Sequence, residues 1–439
     1  MISVDFTPIM MFVGLIVAIL IGIPIAFATG IIGLVTAFFL WGPESLRVIL
    51  TAMSGTMGNW ILLAVPLFTF MAMVLDKTGV VEDLYDTFYI WSGSLRGGLS
   101  VATVIVGTIM GAMTGVAAGT VTALGTIALP QMFKYGYDKK ISMGSILAGG
   151  TLGQLIPPST IMIMYGAMAG VSVGGLFAGG VSAGLFLSAL YCIYILARSY
   201  LNPQLCPALP LEERASLVEK FLVTRKILLP ALLILCVLGA IFSGLATPTE
   251  ASAVGSAGAL VCALIKGKLK RHLIFHAMME TLRVTVMVAW ITIGALCFGN
   301  VFTAIGGNVF VEQLAAIVPL GAYGTLLFVM AMLFFLGMFL DTIAIVVIAA
   351  PIVAPLMATL GFNPLWFGIL FMVNMQAAYL TPPFGYSLFY LKGVTPPDVS
   401  IGNIYRSAFP FVGLQVVGLI IIIAFPMVGM WLPALLGYY

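Results

Sequence analysis

The chain has 439 residues, of which 62% are hydrophobic and 8% charged, with a net charge of +3. A soluble domain carries about 25% charged residues, so most of this chain's outside must face lipid. That excludes a soluble enzyme, a disordered scaffold and, with so small a net charge, a nucleic-acid partner. Long apolar runs without strand-like alternation predict an all-α polytopic membrane protein rather than an outer-membrane barrel.

A bilayer core takes about 20 apolar residues per helix. The start, MISVDFTPIM, lacks a basic region, so the first helix is expected to be its own insertion signal rather than a cleaved peptide. Residues 8–40 read as two short helices or one sharply kinked helix, broken at Gly22-Ile23-Pro24. Further crossings are predicted over 60–75, 142–168, 171–197, 226–243, 247–265, 284–304, 365–391 and 404–428. The stretches 98–131 and 322–358 are apolar but interrupted mid-way, and read as re-entrant hairpins. A polar, proline-bearing linker over 201–225 divides the chain into a first repeat, 1–200, and a second, 226–439.

The two parts match in register. Pro24 pairs with Pro248 and Gly97 with Gly321 at an offset of 224, while Gly136 pairs with Gly361 and Pro157-Pro158 with Pro382-Pro383 at 225. Weak internal symmetry marks secondary transporters. Each part holds five crossings and one hairpin, and an odd number inverts the second relative to the first, giving two inverted-topology repeats. Alternating the crossings leaves Arg47 alone on one side and the other 17 of the 18 Lys and Arg residues opposite. The positive-inside rule makes the rich side cytoplasmic, the linker with it, and both termini periplasmic. Trp41, Trp60, Trp91 and Trp431 lie near predicted span ends, as an interfacial belt requires.

Chemistry is expected at the paired prolines. Each Pro removes a backbone donor and clashes with the preceding turn, so the helices over 142–168 and 365–391 must break. Broken backbone at membrane depth survives where it lines a cavity, and its free carbonyls and helix N-termini can hold a cation or an anion. Ser159, Thr160 and Thr381 add hydroxyls there. The hairpin turns fall near Met113-Thr114-Gly115-Val116 and Gly337–Thr342. Gly115 precedes Pro157 by 42 residues and Asp341 precedes Pro382 by 41, so each tip is expected to meet its own broken helix. The candidate substrate-binding set is Thr114, Gly115, Pro157, Pro158, Ser159, Thr160, Thr381, Pro382 and Pro383. The candidate sodium set is Gly115, Ser159, Gly337, Asp341, Thr342 and Thr381.

Two acids fall inside predicted spans, Glu250 and Asp341. Asp341 can ligate a cation or cap the helix that begins at Thr342, or both. For Glu250 the sequence TPTE favours a capping box with Pro at the first helical position. His272 and His276, four apart beside KGKLKRH, read as surface or headgroup contacts rather than a metal site. The five scattered cysteines read as apolar fillers, with no CxxC and no metal or other cofactor implied. Neither GxxxxGK[ST] nor HExxH occurs, and no enzyme is expected.

Several stretches together resemble the large membrane subunit of the tripartite ATP-independent periplasmic (TRAP) transporters. They are GLATPTEASAVG (244–255), KYGYDKK (134–140), GTLGQLIPPSTIMIMYG (150–166), LGMFLDTIAIVVIAAPIVAP (336–355) and FGILFMVNMQAAYLTPPFG (367–385). The resemblance covers nearly the whole chain. It implies a sodium-coupled importer of small organic anions such as carboxylates in a bacterial inner membrane, with Na+ as coupling ion. It also implies a small four-helix membrane subunit as a separate chain and a soluble periplasmic substrate-binding protein. The implied fold is a scaffold plus an elevator-type transport unit holding roughly 95–168 and 320–391. One departure is the first tip, MTGVAAGT (113–120), where many members of the family are serine-rich. The alternative is a secondary anion transporter of the wider ion-transporter class that needs no binding protein.

Overall fold

The computed structural model describes residues 6–115, 117–317 and 319–438. The expectation for the N-terminus therefore falls partly, and that for Val116 wholly, outside the described residues. Every regular element among the described residues is helical. In chain order the α-helices are α1 (Thr7–Leu20), α2 (Ile25–Trp41), α3 (Leu46–Met57), α4 (Ala64–Lys77), α5 (Val80–Ser92), α6 (Gly98–Thr114) and α7 (Ala117–Lys134). Then come α8 (Lys139–Thr151), α9 (Thr160–Ala169), α10 (Val173–Leu201), α11 (Leu217–Phe242), α12 (Pro248–Ile265), α13 (Arg271–Ala304) and α14 (Gly307–Ile317). The chain ends with α15 (Gly321–Gly337), α16 (Thr342–Thr359), α17 (Pro364–Tyr379), α18 (Tyr386–Lys392), α19 (Ile401–Ala424) and α20 (Met427–Leu435).

Eight helical segments among the described residues are long and apolar enough to cross a membrane. The chain is an all-helical, multi-pass membrane protein. The 8–40 run forms two helices, because Gly22 takes φ +94° and Pro24 opens α2. Most predicted spans recur with ends moved by a few residues. Two differences are larger. The linker is shorter than expected, because Ser216 and Glu219 form a capping box that starts α11 at Leu217. Its first turns carry Glu219, Lys220, Arg225 and Lys226, whose charge disguised them as linker. Likewise α13 starts at Arg271, thirteen residues before the apolar run. Four helices stand outside the predicted crossings: α3, α5, α14 and α20. Of these α5 is short and carries Glu82 and Asp83 in its first turn, while Val80, Val81, Leu84 and Tyr85 bury one face.

Two helix pairs form one side of the core, α2 on α13 and α4 on α12. Small residues let the backbones close up. A Cβ on Gly33 would sit 3.0 Å from Phe298 N, and one on Gly294 would sit 2.1 Å from Ala26 O. Between α4 and α12, Ser256 donates to Leu67 O at 2.7 Å. The linker stretch 202–210 folds over the hairpin's open end. Gly97 N donates to Cys206 O, Asp138 N to Leu205 O and Leu209 N to Gly93 O.

Candidate functional site

Each Pro-Pro pair interrupts a helix. Asp138 caps α8 by accepting from Lys140 N and Ile141 N, and Asn363 caps α17 by accepting from Leu365 N and Trp366 N. Past α8 and a single tight turn, residues Leu155–Ser159 are non-helical, and α9 begins at Thr160. Past α17, residues Leu380–Gly385 are non-helical, and α18 begins at Tyr386. Both Pro-Pro peptides are cis.

The first hairpin tip lies on the first break. Gly115 ends α6 in the left-handed region, φ +61°, with its N–H on Gly111 O at 3.0 Å. A Cβ there would lie 2.3 Å from Pro158 O, so only glycine lets tip and break approach so closely. Behind the tip, Gly107 and Gly111 of α6 run against Gly149 and Gly153. A Cβ on Gly107 would lie 2.5 Å from Gly149 C, and one on Gly111 would lie 2.8 Å from Gly153 Cα. The Thr114 hydroxyl donates to Met110 O at 3.0 Å and shares a hydrogen bond with Thr120 Oγ1. Ser159 is fully buried and donates to Gln154 O at 2.6 Å, and Thr160 is buried beside it.

The second tip meets the second break through larger groups. Gly337 ends α15 against Ala378 of α17, and the Phe339 ring packs edge-on to Phe384, centroids 6.0 Å apart. Asp341 caps α16, accepting from Ile343 N at 3.0 Å, with Thr342 buried next to it. Thr381 donates to Ala377 O at 2.8 Å. Asn374 secures the pair by donating to Met330 O at 2.8 Å. Pro382 is half-buried and Pro383 exposed, whereas Pro157 and Pro158 are buried.

Each tip therefore lies on its own broken helix, as the spacing predicts. The two assemblies also interlock, α16 packing on α9 and α7 on α18. Ser159 and Thr381 are not hydrogen-bonded to each other; each bonds within its own break. Glu250 is exposed and completes the capping box, accepting from Thr247 N at 2.8 Å while its own N–H is accepted by Thr247 Oγ1. It is a cap at the start of α12.

A cavity of about 420 Å³ opens beside the first tip, lined by Thr114, Thr122, Asp76 of α4 and Tyr390 of α18. It contains no lysine or arginine. Asp76 also borders a cavity of about 870 Å³ rimmed by Lys77, Arg225, Lys226 and Lys266. Another cavity, about 960 Å³ and mostly apolar, lies between Trp60 and Tyr438 and touches neither break. Asp76, Thr122 and Tyr390 escape sequence reasoning, because no motif joins positions so far apart. Gln154 and Gln376 escape it too. Both are buried; Gln154 Oε1 and both side-chain polar atoms of Gln376 have no hydrogen-bond partner. Polar amides inside apolar helices were the available signal. No group of three or more His, Cys, Asp or Glu side chains could hold a metal among the described residues.

Residues 12–428 match the family model described as "Tripartite ATP-independent periplasmic transporter, DctM component". The chain is 34% identical to the C4-dicarboxylate TRAP transporter large permease protein DctM of Pseudomonas aeruginosa, over 93% of this chain and 94% of that protein. It is 27% identical to the sialic acid TRAP transporter large permease protein SiaM of Vibrio cholerae, over 95% and 96%. Its fold is similar to that of the Alcanivorax borkumensis YdaH transporter, with a TM-score of 0.65 at 12% identity and 98% of each chain covered. An all-helical, multi-pass chain with two interrupted helices, matched over nearly its whole length, belongs to the TRAP transporter large permease (DctM) family and is a transporter subunit rather than an enzyme.

Proposed function

We propose that this chain is the membrane permease of a sodium-coupled importer of small organic anions, carboxylates foremost, in a bacterial inner membrane. It works with a separate small four-helix membrane subunit and a soluble periplasmic binding protein. The observation that carries this reading is the pair of hairpin tips, each seated on a Pro-Pro break. Free carbonyls and helix N-termini at such breaks suit a cation and a carboxylate. The relatives' C4-dicarboxylate and sialic acid substrates are carboxylates.

The halves are inverted repeats in this reading. Support comes from matched packing: α2 on α13 mirrors α12 on α4, and α9 on α16 mirrors α18 on α7. The 95–168 and 320–391 regions form the moving unit, and α2, α4, α12 and α13 belong to the scaffold. In this reading the rim that carries Lys77, Lys226 and Lys266 faces the cytoplasm and both termini lie in the periplasm, which the positive-inside rule supports. The Thr114 cavity shares Asp76 with that rim. Substrate occupies the space bounded by Thr114, Gly115, Pro157–Thr160 and Thr381–Pro383. Sodium is held by carbonyls and hydroxyls at Gly115, Ser159, Gly337, Thr342 and Thr381, with the Asp341 carboxylate.

The test is reconstitution of the complete complex in vesicles with its binding protein and a C4-dicarboxylate. Uptake should stop when the sodium gradient is dissipated. Uptake that persists without a gradient overturns the coupling, and uptake by the chain without binding protein overturns the tripartite reading.

A further inference from the structure

A second polar site lies away from both breaks. The turn joining α12 to α13 is KGKLK, residues 266–270. Gly267 takes φ +65°, and Lys268 N returns to Ala263 O, which closes the helix end tightly. Beside this turn is a cavity of about 540 Å³, walled by Lys77, Lys268, Lys270, His272, Leu273 and His276, with no acid in its wall. Of the acids nearby, Asp83 pairs with Lys266 at 2.6 Å and Asp76 with Lys77 of the wall at 3.5 Å, while Glu82 lines the neighbouring cavity that Lys268 also borders. Among the described residues Lys268, Lys270 and His272 form no ion pair. His276 Nδ1 is buried and has no hydrogen-bond partner.

An apolar surface adjoins this basic pocket. Leu264 and Ile265 end α12 exposed, and Phe275, Met278 and Leu282 are exposed along the first turns of α13. Phe275, Met278 and Leu282 follow the three- and four-residue spacing of one helix face. Lys268 and Lys270, which form no ion pair, thus meet an exposed apolar stripe. Their combination fits a molecule with an anionic phosphate at one end and acyl chains at the other.

We infer that the α12–α13 turn and the start of α13 form a binding site for one anionic phospholipid, its phosphate held by Lys268, Lys270 and the histidines and its chains lying along Phe275 and Leu282. The inference is independent of sodium coupling and of any moving unit. It requires only that α12 and α13 span the bilayer.

The full chain, purified in detergent, is titrated with dioctanoyl-phosphatidylglycerol and the bound fraction is read by native mass spectrometry. Each lysine near an anionic phosphate contributes about a five-fold change in affinity, so Lys268→Gln with Lys270→Gln should weaken binding roughly thirty-fold. Lys268→Arg with Lys270→Arg should retain it. Lys134→Gln with Lys220→Gln, basic positions outside the pocket, should leave it unchanged. Equal binding by the glutamine variant, or equal loss in the outside control, overturns the inference. Two arms use the unaltered chain alone. Dioctanoyl-phosphatidylcholine bound as tightly means the charge plays no part, and inorganic phosphate displacing the lipid at equal concentration means the apolar stripe plays none. Either result also overturns it.

Discussion

The two tip-on-break assemblies reach similar shapes by different means. The first is closely packed along a glycine seam: Gly107, Gly111 and Gly115 lie against Gly149, Gly153 and the Pro158 carbonyl. The second is larger and partly open: Gly337 meets Ala378, Phe339 meets Phe384, Pro383 is exposed, and Asp341 supplies a carboxylate. The tip and break of the first offer backbone, hydroxyl and Gln154 amide oxygens, and the nearest carboxylate, Asp76, belongs to α4 across the adjoining cavity. The second can add a full charge. One assembly is built for close fit and the other for charge.

Substitutions that treat the two alike should therefore behave differently. The largest expected effect is at the glycine seam. Gly107→Ala places a methyl in contact with backbone that no side-chain rotation relieves, and should cost about 3 kcal/mol. Gly337→Ala clashes with the Ala378 methyl, at 2.4 Å, and meets Met375 and Ile345 at ordinary contact distance, so its loss should be largely restored in the Gly337→Ala, Ala378→Gly pair. Thermal unfolding of the purified chain measures both; a Gly107→Ala protein as stable as the parent would contradict the seam.

Next in size is Asp341→Asn. Asparagine caps a helix about as well as aspartate, so stability should move by less than about 0.5 kcal/mol. Uptake should fall at least tenfold and lose its dependence on sodium concentration. Unchanged sodium dependence would leave Asp341 with capping alone. The smallest effect is expected at Thr114→Val, which removes one hydroxyl from a tip rich in other oxygens. A few-fold rise in the substrate concentration for half-maximal uptake should appear, with the maximal rate near normal. A drop as large as that of Asp341→Asn would make the two assemblies equivalent.

Much of this was legible in the chain. Pro157-Pro158 and Pro382-Pro383 announced both breaks, because two adjacent prolines leave a helix no alternative. TPTE announced the Glu250 cap, because its partners are local. The glycine seam was not legible: 49 glycines carry no sign of which face which. Nor was α5 legible as a helix, since a short segment with acids in its first turn and one buried face offers no long apolar run. The Asp76–Thr114–Tyr390 cavity depends on three distant segments meeting, which local pattern does not encode. The conflict between polar glutamines and apolar helices at Gln154 and Gln376 was present in the letters and marks the interior near the breaks.

The stretch after α10 has a consequence for how the chain is made. Residues 205–209 bond the start of the first hairpin at Gly93 and Gly97 and the start of the first broken helix at Asp138. The N-terminal half is synthesised first, but its inner closure waits for these later residues to emerge. A gene divided just after Leu201 would yield a first polypeptide missing its own clasp. One divided at Ala215 would deliver it whole, ready to receive the second.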